Sequence, residues 1–187
     1  MGGYELPRGV ESMKTILTAI AAVDSNFALG HDNKLLLKDK TDMENFKKYT
    51  IGHTVIMGRK TYESIGSKPL SNRNNIVLTR NKDSIKPKKH LMVINDVSEL
   101  CTYISNRNIT IKDEYYVIGG GEVYNLLLPY TESIILTQFK YEFTDPKPDT
   151  YFPRVDELDT WKCDEYLNVY LTKEGYKAKI CKWVRNG

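Results

Sequence analysis

A chain of 187 residues with 41% hydrophobic and 27% charged side chains has the profile of one globular domain, not of a disordered segment. Its net charge of +3 is too small to argue for nucleic acid, while a mild positive balance suits a small anionic ligand. No apolar run approaches the roughly 20 residues that span a bilayer, and the start lacks the basic-then-apolar order of a signal peptide.

The three cysteines, Cys101, Cys163 and Cys181, form no Cys-x-x-Cys pair, so neither a disulfide framework nor a zinc site follows, and a reducing compartment is expected. Residues 1–12 carry Gly2-Gly3, Pro7 and Gly9 without periodicity. They read as a tail, which leaves 13–187 as the single folded domain.

In chain order, residues 16–23 are a continuous apolar run, as in a strand buried on both faces. A loop follows through Gly30. Thr41-Asp42-Met43-Glu44 has the spacing of a capping box and predicts a helix to about Thr50. Residues 54–57 predict a second strand, meeting Gly58-Arg59-Lys60-Thr61 and a short helix to about Ile65. Strands at 75–79 and 91–94 follow, then a helix capped at Asp96 with Leu100, Tyr103 and Ile104 inward. Residues 115–118 predict a strand that stops at Gly119-Gly120-Gly121, and 122–128 a helix closed by Pro129. A long strand over 133–143 precedes a hairpin, 165–172 and 176–184, around Lys173-Glu174-Gly175. Strands alternating with helices predict an α/β fold: a mostly parallel sheet, helices on both faces, with an antiparallel C-terminal edge.

Four features could carry chemistry. The triple glycine lies between a strand and a helix, where backbone can approach a phosphate closely and helix N–H groups attract it; it could equally be a tight turn with no ligand. Gly58-Arg59-Lys60-Thr61 repeats the arrangement with two cations, either phosphate ligands or solvated surface. Asp42 is either a helix-dipole partner or an acid facing a pocket. Arg73 is either surface charge or a clamp for a carboxylate.

The ordered set of motifs resembles one family. Residues 55–66 (VIMGRKTYESIG), Pro69-Leu70 with Arg73, and residues 117–124 (VIGGGEVY) are similar to dihydrofolate reductase. So are Ala22-Val23-Asp24 with Leu29-Gly30, Asp42 with Phe46-Lys47, and Asp149-Thr150-Tyr151-Phe152-Pro153. The resemblance runs from about Met13 to Val184. It implies an eight-stranded sheet flanked by helices and a cytoplasmic, monomeric enzyme that passes a hydride from NADPH to 7,8-dihydrofolate. The hydride goes to pterin C6 and water brings a proton to N5. The product, tetrahydrofolate, would serve one-carbon metabolism and thymidylate synthesis, and antifolate inhibitors would bind.

The resemblance makes Asp42 the acid that binds the pterin 2-amino group and N3, with Leu35 and Leu37 as the other catalytic positions. Ile20, Met43, Phe46, Lys47, Ile65, Leu70, Ile118 and Tyr124 would surround the substrate, Thr137 would brace Asp42, and Arg73 would hold the glutamate tail. Lys60, Thr61 and the triple glycine would hold the pyrophosphate, with Arg59 and Arg80 near the 2′-phosphate. Ala22 and Leu29 would meet the nicotinamide amide. Gly30, Gly58, Leu78, Thr79, Glu122, Val123 and Tyr124 complete the cofactor set, no metal is implied, and Gly119-Gly120 resembles the family's cis peptide. The loop from Leu29 to Lys40 resembles a mobile lid.

One segment departs from the pattern. Where the family usually reads Leu-Pro-Trp, this chain has Leu35-Leu36-Leu37, and Leu37 cannot donate a hydrogen bond. Two rivals share the architecture: a riboflavin-pathway reductase, and a catalytically silent nucleotide-binding homologue. Asp42 with Phe46-Lys47 and Arg73 argues against the first; Leu37 gives the second a foothold, but Asp42, Arg59 and Arg73 together argue against it.

Overall fold

A computed structural model of the chain describes residues 17–106 and 114–187. The expected tail, residues 1–12, lies outside the described residues. Eight strands form the main sheet, in the order β10-β11-β8-β1-β7-β4-β5-β6. Its centre is built from β1 (Leu17–Val23), β4 (Thr54–Gly58), β5 (Asn74–Leu78), β6 (Leu91–Ile94), β7 (Tyr115–Val117) and β8 (Ser133–Phe139), every neighbouring pair parallel. The hairpin β10 (Trp161–Leu171) and β11 (Lys177–Arg185) adds the antiparallel edge, with β11 against β8. The predicted fold class is the one observed.

Alternation along the strands divides the core in two. In β1, Leu17, Ala19, Ala21 and Val23 pack into one cluster, which takes Leu100, Cys101 and Ile104 from α3 (Val97–Ser105) and Val123, Tyr124 and Leu127 from α4 (Gly121–Leu127). Ile20 points the other way, into a cluster with Val55, Met57, Val77 and Tyr116. That second face is covered by Tyr62 of α2 (Arg59–Ser64) and by Phe46 and Tyr49 of α1 (Lys40–Thr50). With a side-chain period of two, one strand can serve both layers only if both faces are apolar, which is why β1 reads as an unbroken apolar run.

Several boundaries differ from expectation. The cap of α1 is Asp39, whose carboxylate accepts the N–H of Asp42 at 2.9 Å; Thr41 is already inside the helix. The last expected strand before the hairpin ends at Phe139, because the chain then turns to let Asp24 Oδ2 accept the N–H of Phe143 at 3.0 Å. A second, three-stranded sheet was not expected: β2 (Ala28–His31) pairs with β3 (Lys34–Leu35) and with β9 (Thr150–Tyr151). Cys163 and Cys181 are joined as a disulfide between β10 and β11, which corrects the expectation that no bridge forms. Two register shifts in β10, between Cys163 and Glu165 and between Tyr166 and Asn168, set which residues face each other there. Cys101 is free and buried. No helix among the described residues is long and apolar enough to cross a membrane.

Candidate active site

The site grows from the carboxyl ends of the parallel strands, where open α/β sheets leave a crevice. Strands β4 and β7 are neighbours in register, and both run into glycine: the Gly58 N–H donates to the Gly119 carbonyl at 2.8 Å. Gly119 has φ +116°, a left-handed conformation that side chains disfavour, and the Gly119–Gly120 peptide is cis. Gly121 is needed for a different reason. A Cβ there would sit 2.6 Å from Thr150 Cγ2 and 3.2 Å from the Tyr151 carbonyl, so only glycine lets α4 start this close to β9. The result is a bare main-chain surface beside the Thr61 hydroxyl, which lies 3.3 Å from where a Cβ of Gly120 would be.

A cavity of about 1050 Å³ opens over this surface. Every residue expected to hold the cofactor lines it: Ala22, Leu29, Gly30, residues 58–61, 78–80 and 119–124. Leu35 lines it too, from β3. Among the described residues Lys60 and Arg80 have no carboxylate partner, whereas Arg59 Nη1 donates to Glu63 Oε1 at 2.6 Å. With Lys34, which also lines it, the lining offers three cations without a carboxylate partner among the described residues, one paired cation and a glycine saddle, a donor set that fits a long, phosphate-bearing nucleotide. Sequence reasoning missed Asn33, Lys34, Asn81, Asn95 and Thr150, which also line the cavity. Asn95 had a signal in preceding the cap Asp96, Thr150 in the motif at 149–153, and Asn33 and Lys34 in the expected lid loop, but none was given a role.

Asp42 is half-buried on the first turn of α1 and is not among the residues that line this cavity. Burial pushes its carboxyl up to about 6 and the neighbouring charge of Asp39 adds to the rise, while the Thr137 hydroxyl, donating to the carboxylate, works the other way. Tyr124, on the cavity wall, feels the charge of Asp42. Its hydroxyl donates to the Ile20 carbonyl at 2.6 Å, and burial, then the charge of Asp42, pushes it up so that it remains a donor. Ile20 lies in the second core cluster, and Phe46, Leu70 and Ile118 pack against it. Met43 is 55% exposed and Ile65 37% exposed, and neither is among the residues that line the cavity. Lys47 is exposed in the last turn of α1, where a cation also complements the helix end. Leu37 is half-buried and, unlike Leu35, does not line the cavity.

Arg73 is held rather than loose. Its Nε donates to the Ser71 carbonyl at 2.9 Å, its Nη1 to the Thr50 hydroxyl at 3.0 Å, and its guanidinium lies 6.0 Å from the centre of the Phe46 ring. Partial burial lowers its pKa. Nη2 has no partner among the described residues, so the fork keeps a donor for a ligand.

The chain is similar to known proteins over most of its length. The family model for dihydrofolate reductase matches residues 16–185. The chain is 38% identical over 148 residues to a dihydrofolate reductase of Bacillus subtilis, covering 79% of this chain and 80% of that one. It is 32% identical over 162 residues to a dihydrofolate reductase of Enterococcus faecium, covering 87% and 92%. Among solved structures it is similar to a dihydrofolate reductase from Enterococcus faecalis complexed with NADP(H) and RAB-propyl, at 28% identity and a TM-score of 0.78, covering 93% of this chain and 98% of that one. A match over nearly the whole chain settles the assignment: the chain belongs to the dihydrofolate reductase family.

Proposed function

We propose that the protein reduces 7,8-dihydrofolate to 5,6,7,8-tetrahydrofolate with NADPH. The observation that carries this reading is a half-buried carboxylate, Asp42, whose charge reaches Tyr124 on the wall of a cavity whose lining suits a dinucleotide. Lys60, Thr61 and the main chain of residues 119–121 would hold the pyrophosphate, Arg80 and Arg59 the 2′-phosphate, and Ala22 and Leu29 the nicotinamide end. Arg59 reaches a phosphate by exchanging its bond to Glu63, whereas Arg80 is free to do so at once. Bound NADPH supplies the hydride that reduces the C6–N5 double bond.

The chain's own residues bind and orient the substrate. Asp42 accepts hydrogen bonds from the pterin 2-amino group and N3, and the Thr137 hydroxyl keeps its carboxylate aimed. Ile20, Phe46, Leu70 and Ile118 exclude water from the ring, which strengthens that pair. No side chain is assigned to N5, so its proton comes from water, and Asp42 holds the ring in a state that accepts it. Arg73 takes the α-carboxylate of the glutamate tail through its unused nitrogen. The tetrahydrofolate released supports one-carbon transfer, including thymidylate synthesis.

The test follows NADPH absorbance with dihydrofolate for the wild type and for Asp42→Asn. The wild type should consume NADPH, and Asp42→Asn should lose roughly ten- to a hundredfold in kcat/KM, the loss of a charge-assisted hydrogen bond. Wild-type protein that binds NADPH yet does not consume it would instead support a silent nucleotide-binding homologue.

A further inference from the structure

Asp39 caps α1, and capping alone does not account for it. Its side chain is 5% exposed, and one oxygen, Oδ2, accepts twice: from the Asp42 N–H at 2.9 Å and from the Tyr170 hydroxyl at 2.6 Å. Tyr170 lies on β10, so a single carboxylate oxygen ties the start of α1 to the C-terminal hairpin. Ser, Asn and Asp cap helices about equally well, so a cap needs no charge. Burying a charge without a cation is costly, and Asp39 forms no ion pair among the described residues. The charge must therefore act on something nearby, and Asp42 is one turn away.

The groups facing Asp42 come from four elements. Thr137 on β8 donates to it, Tyr124 on α4 and Tyr170 on β10 feel its charge, and Asp39 repels it from the segment before α1. None of these is a cation. Tyr170, pushed up first by burial and then by its bond to Asp39, stays a hydroxyl donor and anchors the Asp39 carboxylate.

We propose that Asp39, anchored by Tyr170, is a positioning residue for the reaction: it fixes the direction of Asp42 and places a second negative charge behind it, so that the pair draws a proton toward the substrate ring. The proposal rests on the substrate-facing role given to Asp42 above. Asp39 itself touches neither substrate nor cofactor. It acts through Asp42, and its effect depends on pH.

Asp39→Asn keeps a capping oxygen and removes the charge. The Asp42 carboxyl carbon, followed by NMR across pH in the ligand-free protein, should then titrate lower by about one pH unit, the scale of a nearby like charge. The alkaline limb of the kcat/KM profile should move down by the same amount. Tyr170→Phe keeps the charge and should not lower the midpoint. An unmoved midpoint in folded Asp39→Asn overturns the proposal, as does an equal fall in Tyr170→Phe, which would mean disturbed packing. If Asp39→Asn fails to fold, Asp39→Ser replaces it, being a good cap without charge. Failure of the reading it rests on looks different: Asp42→Asn would then turn over like the wild type, while the NMR midpoint still reports on Asp39.

Discussion

Asp42→Asn should give a protein that is less active and more stable at neutral pH. In the folded chain the Asp42 carboxyl is pushed from 3.8 up to about 6. The native state therefore holds this proton more tightly than the unfolded chain does. Its contribution to stability is fully present below about pH 4, declines as pH rises through about 6, and leaves a constant penalty above that. At about 1.36 kcal/mol per pH unit, and discounted because the carboxylate is only half-buried, the penalty at pH 7 is roughly 1–3 kcal/mol. An amide carries no such penalty, and its oxygen can still accept from Thr137. Urea unfolding at pH 7 should show the variant more stable by that amount, and the gain should vanish near pH 3.5. A variant equally or less stable than the wild type at both pH values would refute the argument, because it would mean that the carboxylate is not held at a cost. A gain in stability coupled to a loss of turnover is the expected sign of a site that has traded one for the other.

Two further substitutions probe the walls of the site. Gly121→Ala puts a methyl 2.6 Å from Thr150 Cγ2 and should cost roughly 1–3 kcal/mol of stability and weaken NADPH binding, read by urea unfolding and by fluorescence titration. Adding Thr150→Ser removes the clashing methyl but not the Tyr151 carbonyl, so it should restore part of the loss; no loss in the single variant would show that α4 and β9 are free to separate. Arg73→Lys gives up the planar fork held by Thr50 and Ser71 and should raise KM for dihydrofolate about tenfold or more, leaving a pterin without a glutamate tail unaffected. Equal losses for both substrates would remove Arg73 from the role of tail clamp.

The sequence disclosed the main sheet because its signals are local. Apolar runs marked β1, β4, β5 and β7, glycines marked where β4 and β7 end, and Asp96 announced α3 three residues before Glu99. The cofactor side was legible for the same reason: residues 58–61 and 119–121 are contiguous, and their arrangement follows from the strand ends they terminate. What stayed hidden depends on distant partners. Strands β2, β3 and β9 have two to four residues each, too short to show a period, and β9 meets β2 across more than a hundred positions. The Cys163–Cys181 bridge depends on the bulged register of β10, which no spacing in the chain announces. Asp39 was missed because Thr41-x-x-Glu44 offered a better capping pattern, and its bond to Tyr170 spans 131 positions. Arg59 was assigned to the 2′-phosphate without its competitor, since an i,i+4 partner such as Glu63 declares itself only once the helix is seen.

The bulges in β10 bear on how the protein behaves in a crowd. This strand is the outer edge of the main sheet, and Tyr166, Val169 and Leu171 lie largely open on it. A flat edge of that composition would be a template on which a stray strand could add, the first step of edge-to-edge aggregation. Two register shifts within six residues break the row of N–H and C=O groups, and Asp164 and Glu165 place charge at the break. The irregularity that makes the hairpin hard to read is thus what keeps its rim from being copied by another chain.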